Sequence, residues 1–236
     1  MLYLEGTTDK QNIIALAQHI KHPIYETLTD RVFVYYTQSP DSNHEEFEMN
    51  TGYYQTHKKH FAALKPLVEN LKGIAVFDND NQNRSNEDAD NGLKIRFWKQ
   101  YELENYFISP QSVVDFMTDY FTKIDGGNLF TQSNVDKFQG CFEEYFLKKI
   151  FKDDIIMKLY KKGSDDEKIA LYKNNSQDKK VSSLLEDVFK QFSQKNGGDM
   201  PLKKGDFYKI VPFCAVNSID DEVKKIFDEI KLVLSP

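Results

Sequence analysis

Cysteine is nearly missing from this chain. Cys141 and Cys214 are the two in 236 residues, far apart and outside any CxxC or Cys/His ligand spacing. This excludes a disulfide framework and a cysteine-based structural zinc site, and fits unpaired core thiols in a reducing compartment. No apolar run approaches the roughly 20 residues of a membrane span, and no basic start leads into an apolar segment and a small-residue cleavage site. The chain therefore reads as soluble and cytoplasmic, with no membrane partner. A phosphate-binding GxxxxGK[ST] loop is also missing. The pairs Gly126-Gly127 and Gly197-Gly198 lack its flanking residues, so no ATP site is expected. Positive charge is in deficit too: 37 acidic against 31 basic residues give a formal net charge of −6. Binding nucleic acid by broad phosphate neutralisation alone is disfavoured, and such binding would need metal ions, a local basic face or a partner. The basic run Lys148, Lys149, Lys152, Lys158, Lys161 and Lys162 is interleaved with Asp153 and Asp154 and reads as a solvated face.

What the chain does contain is apolar: 40% hydrophobic and 14% aromatic residues, enough to bury a full core. Leu2-Tyr3-Leu4 reads as a buried strand that delivers Glu5 to its tip. Starting at residue 2 leaves no loose lead-in, as expected of a domain excised from a longer protein. Thr8-Asp9-Lys10-Gln11 reads as a capping box with Thr8 as N-cap, opening a helix with an apolar stripe at Ile13, Leu16, Ala17 and Ile20. Arg31 to Tyr36 is a β-branched and aromatic run, expected to be a strand buried on both faces. A polar, turn-rich stretch follows at 39–52. A helical pattern then runs through Phe61, Leu64, Leu67 and Leu71 and is expected to close near Gly73. Ile74 to Phe77 is another buried strand, running directly into Asp78-Asn79-Asp80. After an asparagine-rich stretch, Leu93 to Trp98 alternates as a fourth, half-exposed strand.

Strand, helix, strand, helix, strand predicts an α/β fold with a parallel sheet of about four strands flanked by helices. From Ser109-Pro110 onward the patterns become amphipathic helices at 113–124, 135–151, 181–192 and 223–234. They are interrupted by a charged loop at 163–178 and by a strand or extended segment at 207–213. The expected organisation is a core over 1–110 and a mostly helical extension over 111–236 that folds back on it.

In open parallel sheets ligands bind beyond the carboxyl ends of the strands, and there Glu5, Asp9, Asp78 and Asp80 gather. Two divalent cations about 4 Å apart can stabilise the attacking and leaving oxygens of a phosphodiester displacement. Carboxylates holding them select Mg²⁺ or Mn²⁺. The helix N-terminus near Thr8 adds amides that favour phosphate. The bland alternative is that Asp9 only complements its helix dipole and Asp78-Asn79-Asp80 only turns the chain. Two histidine pairs, His57/His60 and His19/His22, have zinc-compatible spacing without an evident third ligand, and a solvated face is the simpler reading.

The stretches Leu4-Glu5-Gly6-Thr7-Thr8-Asp9, Phe77-Asp78-Asn79-Asp80-Asn81 and Trp98 to Phe107 with its Glu102-Leu103-Glu104 resemble the Toprim domain, a Rossmann-like fold of topoisomerases, primases and the overcoming-lysogenization-defect (OLD) nucleases. The likeness covers residues 2 to about 110. It is closest to Toprim domains placed behind an ABC-type ATPase domain in OLD-like proteins, many linked to phage defence. The resemblance implies a two-metal nuclease acting on DNA or RNA, with the ATPase in cis or in trans and oligomerisation through it. Glu5 would be a ligand or acid/base group and Asp9 a ligand of the same metal. Asp78 and Asp80 would serve the second metal, and Glu104 would be a later acid, with Glu102 as second choice because alternation puts it on the same side. A downstream lysine is implied at Lys204, or its neighbour Lys203, in a Leu202-to-Asp206 turn where Gly205 permits positive φ. Where such nucleases often carry a serine before the paired aspartates, this chain has Val76-Phe77. A non-cleaving regulatory or assembly module on the same fold is the alternative. A strand-passing or primase fragment is less favoured, since no tyrosine-bearing topoisomerase domain is evident.

Overall fold

The computed structural model describes residues 1–30, 32–37, 54–82, 84–127 and 129–235. The polar stretch at 39–52 and Arg31 lie outside the described residues. The chain forms two compact units: Met1–Lys99 with Asp221–Pro236, and Gln100–Asp220.

The first unit is α/β. Its strands β1 (Leu2–Leu4), β2 (Val34–Tyr36), β3 (Gly73–Phe77), β4 (Glu87–Asp88) and β5 (Leu93–Phe97) make one sheet in the order β2-β1-β3-β5-β4. The pairs β1/β2, β1/β3 and β3/β5 are parallel, and β4 runs antiparallel to β5. Alternating side chains bury both faces. Tyr3, Ala75, Phe77, Leu93, Ile95 and Phe97 cluster with Phe61 of α3 (Tyr54–Leu64). Leu2, Leu4, Ile74 and Val76 are equally buried, as are Ile13, Leu16 and Ala17 of α1 (Thr7–His19), Ile24 and Leu28 of α2 (Ile24–Asp30), and Val223, Phe227 and Ile230 of the C-terminal helix Asp221–Leu234.

Several local expectations are corrected here. Helix α1 begins two residues earlier, with extended Gly6 as N-cap, and the acid at its third position, Asp9, accepts the Gly6 amide at 2.9 Å. Asp9 thus plays the part assigned to Gln11, and glycine has no side chain to return the bond. Strand β2 lies at the edge of the sheet among the described residues, and its own residues are half-buried; Phe33 just before it is 69% exposed. Helix α3 stops at Leu64, since Pro66 disfavours helical backbone at the residue before it. Gly73 is the first residue of β3, where a Cβ would lie 2.7 Å from the Phe61 ring. Strand β5 is mostly buried, and the two acidic residues of β4 carried no strand signal.

The second unit is helical: α4 (Pro110–Asp125), α5 (Leu129–Phe142), α6 (Lys148–Ile150), α7 (Asp154–Lys162), α8 (Asp165–Ser176) and α9 (Val181–Asn196). A π turn at Glu143–Leu147 joins α5 to α6. Aromatic rings fill its core, with Phe138 facing Phe189 at 5.8 Å and Phe121 facing Phe192 at 5.8 Å. The expected loop at 163–178 is largely α8, opened by a Ser164/Glu167 capping box in which the Glu167 carboxylate accepts the Ser164 amide at 2.7 Å. The expected strand at 207–213 belongs to a 3-10 helix, Lys204–Phe213, which also includes Gly205; no positive φ is needed there. Two lysines of the basic run are ion-paired, Lys149 with Asp187 and Lys161 with Glu143. No described helix is long and apolar enough to cross a membrane.

Candidate metal centre

Parallel pairing of β1 with β3, Leu2 opposite Ile74 and Tyr3 opposite Ala75, brings the exits of both strands to the same edge of the sheet. Glu5 leaves β1 there, and its carboxylate accepts the Asp78 amide from the tip of β3 at 3.1 Å. Beyond Asp78 the chain reverses through Asp80 (φ 48°) and Asn81 (φ 56°), closed by a Gln82 amide to Asn79 carbonyl bond of 3.0 Å. Asp and Asn tolerate this left-handed backbone better than other non-glycine residues.

The electrostatics of Glu5 record the crowding. Burial, then the charge of Asp9, then that of Asp80, push its pKa up to about 7, while the Asp78 amide and the Arg84 cation act the other way. Tyr36 is also raised, first by burial and then by Asp9. Arg84 is a site residue that sequence reasoning missed. Its Nη1 donates to the Asp78 carbonyl at 3.2 Å and its Nε to Gln82 Oε1 at 3.0 Å. Its guanidinium lies over the Phe97 ring, 5.7 Å from the centroid. Burial lowers its pKa and the Glu5 charge opposes that. The available signal was a lone cation in an asparagine-rich loop directly behind two acids.

In the second unit Glu102 and Glu104 are both buried. The segment is a 3-10 helix, Leu103–Tyr106, so the strand alternation invoked for Glu102 does not apply. Glu102 instead caps α9: its Oε1 accepts the Ser182 amide at 2.6 Å and its Oε2 the Ser182 hydroxyl at 2.8 Å. Burial raises its pKa; the Ser182 bonds and the charges of Lys204 and Lys180 oppose that rise. Lys204, about 100 positions along the chain, thus acts on Glu102, at the start of its own 3-10 helix.

Within the second unit Glu102 and Glu104 both offer carboxylate oxygens of the kind that bind a metal ion. The histidine pairs do not: among the described residues no group of three possible ligands includes a histidine. His57 is fully buried, its ring 4.9 Å from that of Phe77, and His60 stacks on Tyr35 at 4.1 Å, so neither stands on a solvated face. His22 is paired with Asp228 at 3.1 Å. Comparison with protein-family models, with curated proteins and with solved structures finds no match for this chain.

Proposed function

We propose that the chain is the Toprim-type catalytic part of an OLD-like nuclease that cleaves phosphodiester bonds of DNA or RNA with two Mg²⁺ or Mn²⁺ ions. The observation that carries this reading is Glu5: a half-buried carboxylate at the tip of one parallel strand, bonded to the tip of the next, and disfavoured as a charge first by desolvation and then by Asp9 and Asp80. A structural role would not call for this crowding of like charges, whereas a bound cation reverses its sign.

Under this reading Glu5 and Asp9 hold one ion, Asp78 and Asp80 the other, and Glu104 supplies a further carboxylate. The ions would activate the attacking water and stabilise the leaving oxygen. Glu5, with a pKa near 7, is suited to accept a proton at neutral pH until a cation claims it. Arg84 draws the Asp78 carbonyl and Gln82 toward itself and shapes the turn that presents Asp80. Lys204 favours negative charge developing on the phosphate. With no nucleotide-binding loop in the chain, the ATPase of such a phage-defence protein would be another domain or subunit, through which the assembly would oligomerise in the cytoplasm.

Incubation with supercoiled DNA, linear DNA and tRNA in Mn²⁺, beside calorimetric titration of Mn²⁺, tests the reading. Cleavage that disappears in Asp78→Ala supports it. Tight metal binding without cleavage of any substrate turns the assignment to a non-cleaving module on the same fold.

A further inference from the structure

We infer that the turn between α8 and α9, residues 176–182, is a positioning device that holds the Glu104 segment for metal, with Glu102 and Ser182 as its fastening. This rests on the proposed reading of Glu104 as a metal ligand. Five hydrogen bonds within the second unit tie residues 101–105 to that turn. The Tyr101 amide donates to the Gln177 carbonyl at 3.0 Å. The Asn105 side-chain amide donates to the carbonyls of Ser176 and Lys179 at 2.8 and 3.1 Å. Glu102 accepts both the amide and the hydroxyl of Ser182. Glu104 sits between Glu102 and Asn105, the two residues whose side chains are fastened.

A 3-10 helix of four residues has little stability of its own, so the direction of the Glu104 carboxylate depends on what pins its ends. At the first end the fastening is a carboxylate, 1% exposed, on the amide and hydroxyl of Ser182 in the first turn of a 16-residue helix. Such a bond is short, charge-assisted and costly to leave unmade. Both oxygens of Glu102 are engaged by Ser182, which makes it a positioning residue in this proposal, with Glu104 as the ligand it positions.

The test compares Glu102→Gln, Glu102→Ala, Ser182→Ala, Ser182→Thr and Glu104→Gln in the full chain by Mn²⁺ titration, cleavage rate and amide hydrogen exchange. Glutamine keeps an acceptor for the Ser182 amide and a donor for its hydroxyl. Glu102→Gln should therefore stay within about threefold of wild type in Mn²⁺ affinity, while Glu102→Ala loses at least about tenfold. Ser182→Ala should fall between them and Ser182→Thr should restore the loss. Exchange at the Phe107 and Ile108 amides, which donate to the Glu104 carbonyl, should accelerate at least tenfold in Glu102→Ala with β3 unchanged. If Glu102→Gln is as damaging to Mn²⁺ affinity as Glu104→Gln, Glu102 is itself a ligand and the inference falls. Unchanged affinity and unchanged exchange in Glu102→Ala overturn it as well. If the wild type binds no Mn²⁺, the nuclease reading fails, and the exchange arm alone decides whether the turn holds the segment.

Discussion

At Glu5 a single carboxylate links the fold to the proposed chemistry, and its titration has a definite sign. Its folded pKa of about 7 lies above the ordinary value of 4.5, so between these values the folded state holds a proton that the unfolded state has released. Stability is then fully present below the unfolded value and is lost as pH rises through about 7. In metal-free protein Glu5→Gln should match wild type near pH 4 and exceed it by up to about 3 kcal/mol at pH 8, as read from urea unfolding at each pH. A difference that does not change with pH would argue against the crowding. Saturating Mn²⁺ should reverse the order. Asp78→Ala and Asp80→Ala should each lose Mn²⁺ binding while keeping the fold, checked by calorimetry and circular dichroism; wild-type affinity in either would remove that acid from the site. Lys204→Ala should lower the cleavage rate at least roughly tenfold, about 1.4 kcal/mol of barrier, with Mn²⁺ affinity little changed. An unchanged rate under saturating substrate in both Lys204→Ala and Lys203→Ala would place this end of the 3-10 helix outside the active site.

Among the elements, the central strands β1 and β3 announced themselves through composition. The runs ending in Leu4 and Phe77 are short, wholly apolar and followed at once by acids, a pattern that points to central strands with polar tips. Helix α8 was missed, although Ser164 and Glu167 spell out its capping box, because its charged residues hid a helix with little apolar stripe. The 3-10 helix Lys204–Phe213 was missed for the opposite reason: its Ile210-Val211 run has strand propensity, which tertiary context overrides. Gly73 shows how a punctuation signal misleads. It is glycine because the Phe61 ring packs where a side chain would stand. Gly73→Ala should therefore destabilise by about 1–3 kcal/mol through overpacking, measured as a lowered unfolding midpoint. A neutral effect would mean that Phe61 can move aside.

For the whole molecule, connectivity and packing part company. The chain leaves the sheet after β5, builds a complete helical unit from Gln100 to Asp220, and returns for a last helix that completes the first unit. Val223, Phe227 and Ile230 of that helix are fully buried. Phe227→Ala should consequently cost about 3–5 kcal/mol. It should weaken Mn²⁺ binding at the acids of the first unit only in proportion to unfolding, as shown by titration alongside a thermal melt.

The sequence by itself determined the parallel α/β core, the strands that carry Glu5 and Asp78, and the edge at which their acids meet, because alternation, β-branching and strand-terminal charge are local properties of neighbouring residues. Tertiary structure alone decided the rest. It made β2 an edge strand, brought Arg84 beside Glu5, turned Glu102 into the cap of α9, set Lys204 in its field and joined the C-terminal helix to the first unit. Each of these depends on a contact between residues distant in the chain. Such contacts are chosen by which apolar faces and which unsatisfied amides remain to be covered once the local elements have formed.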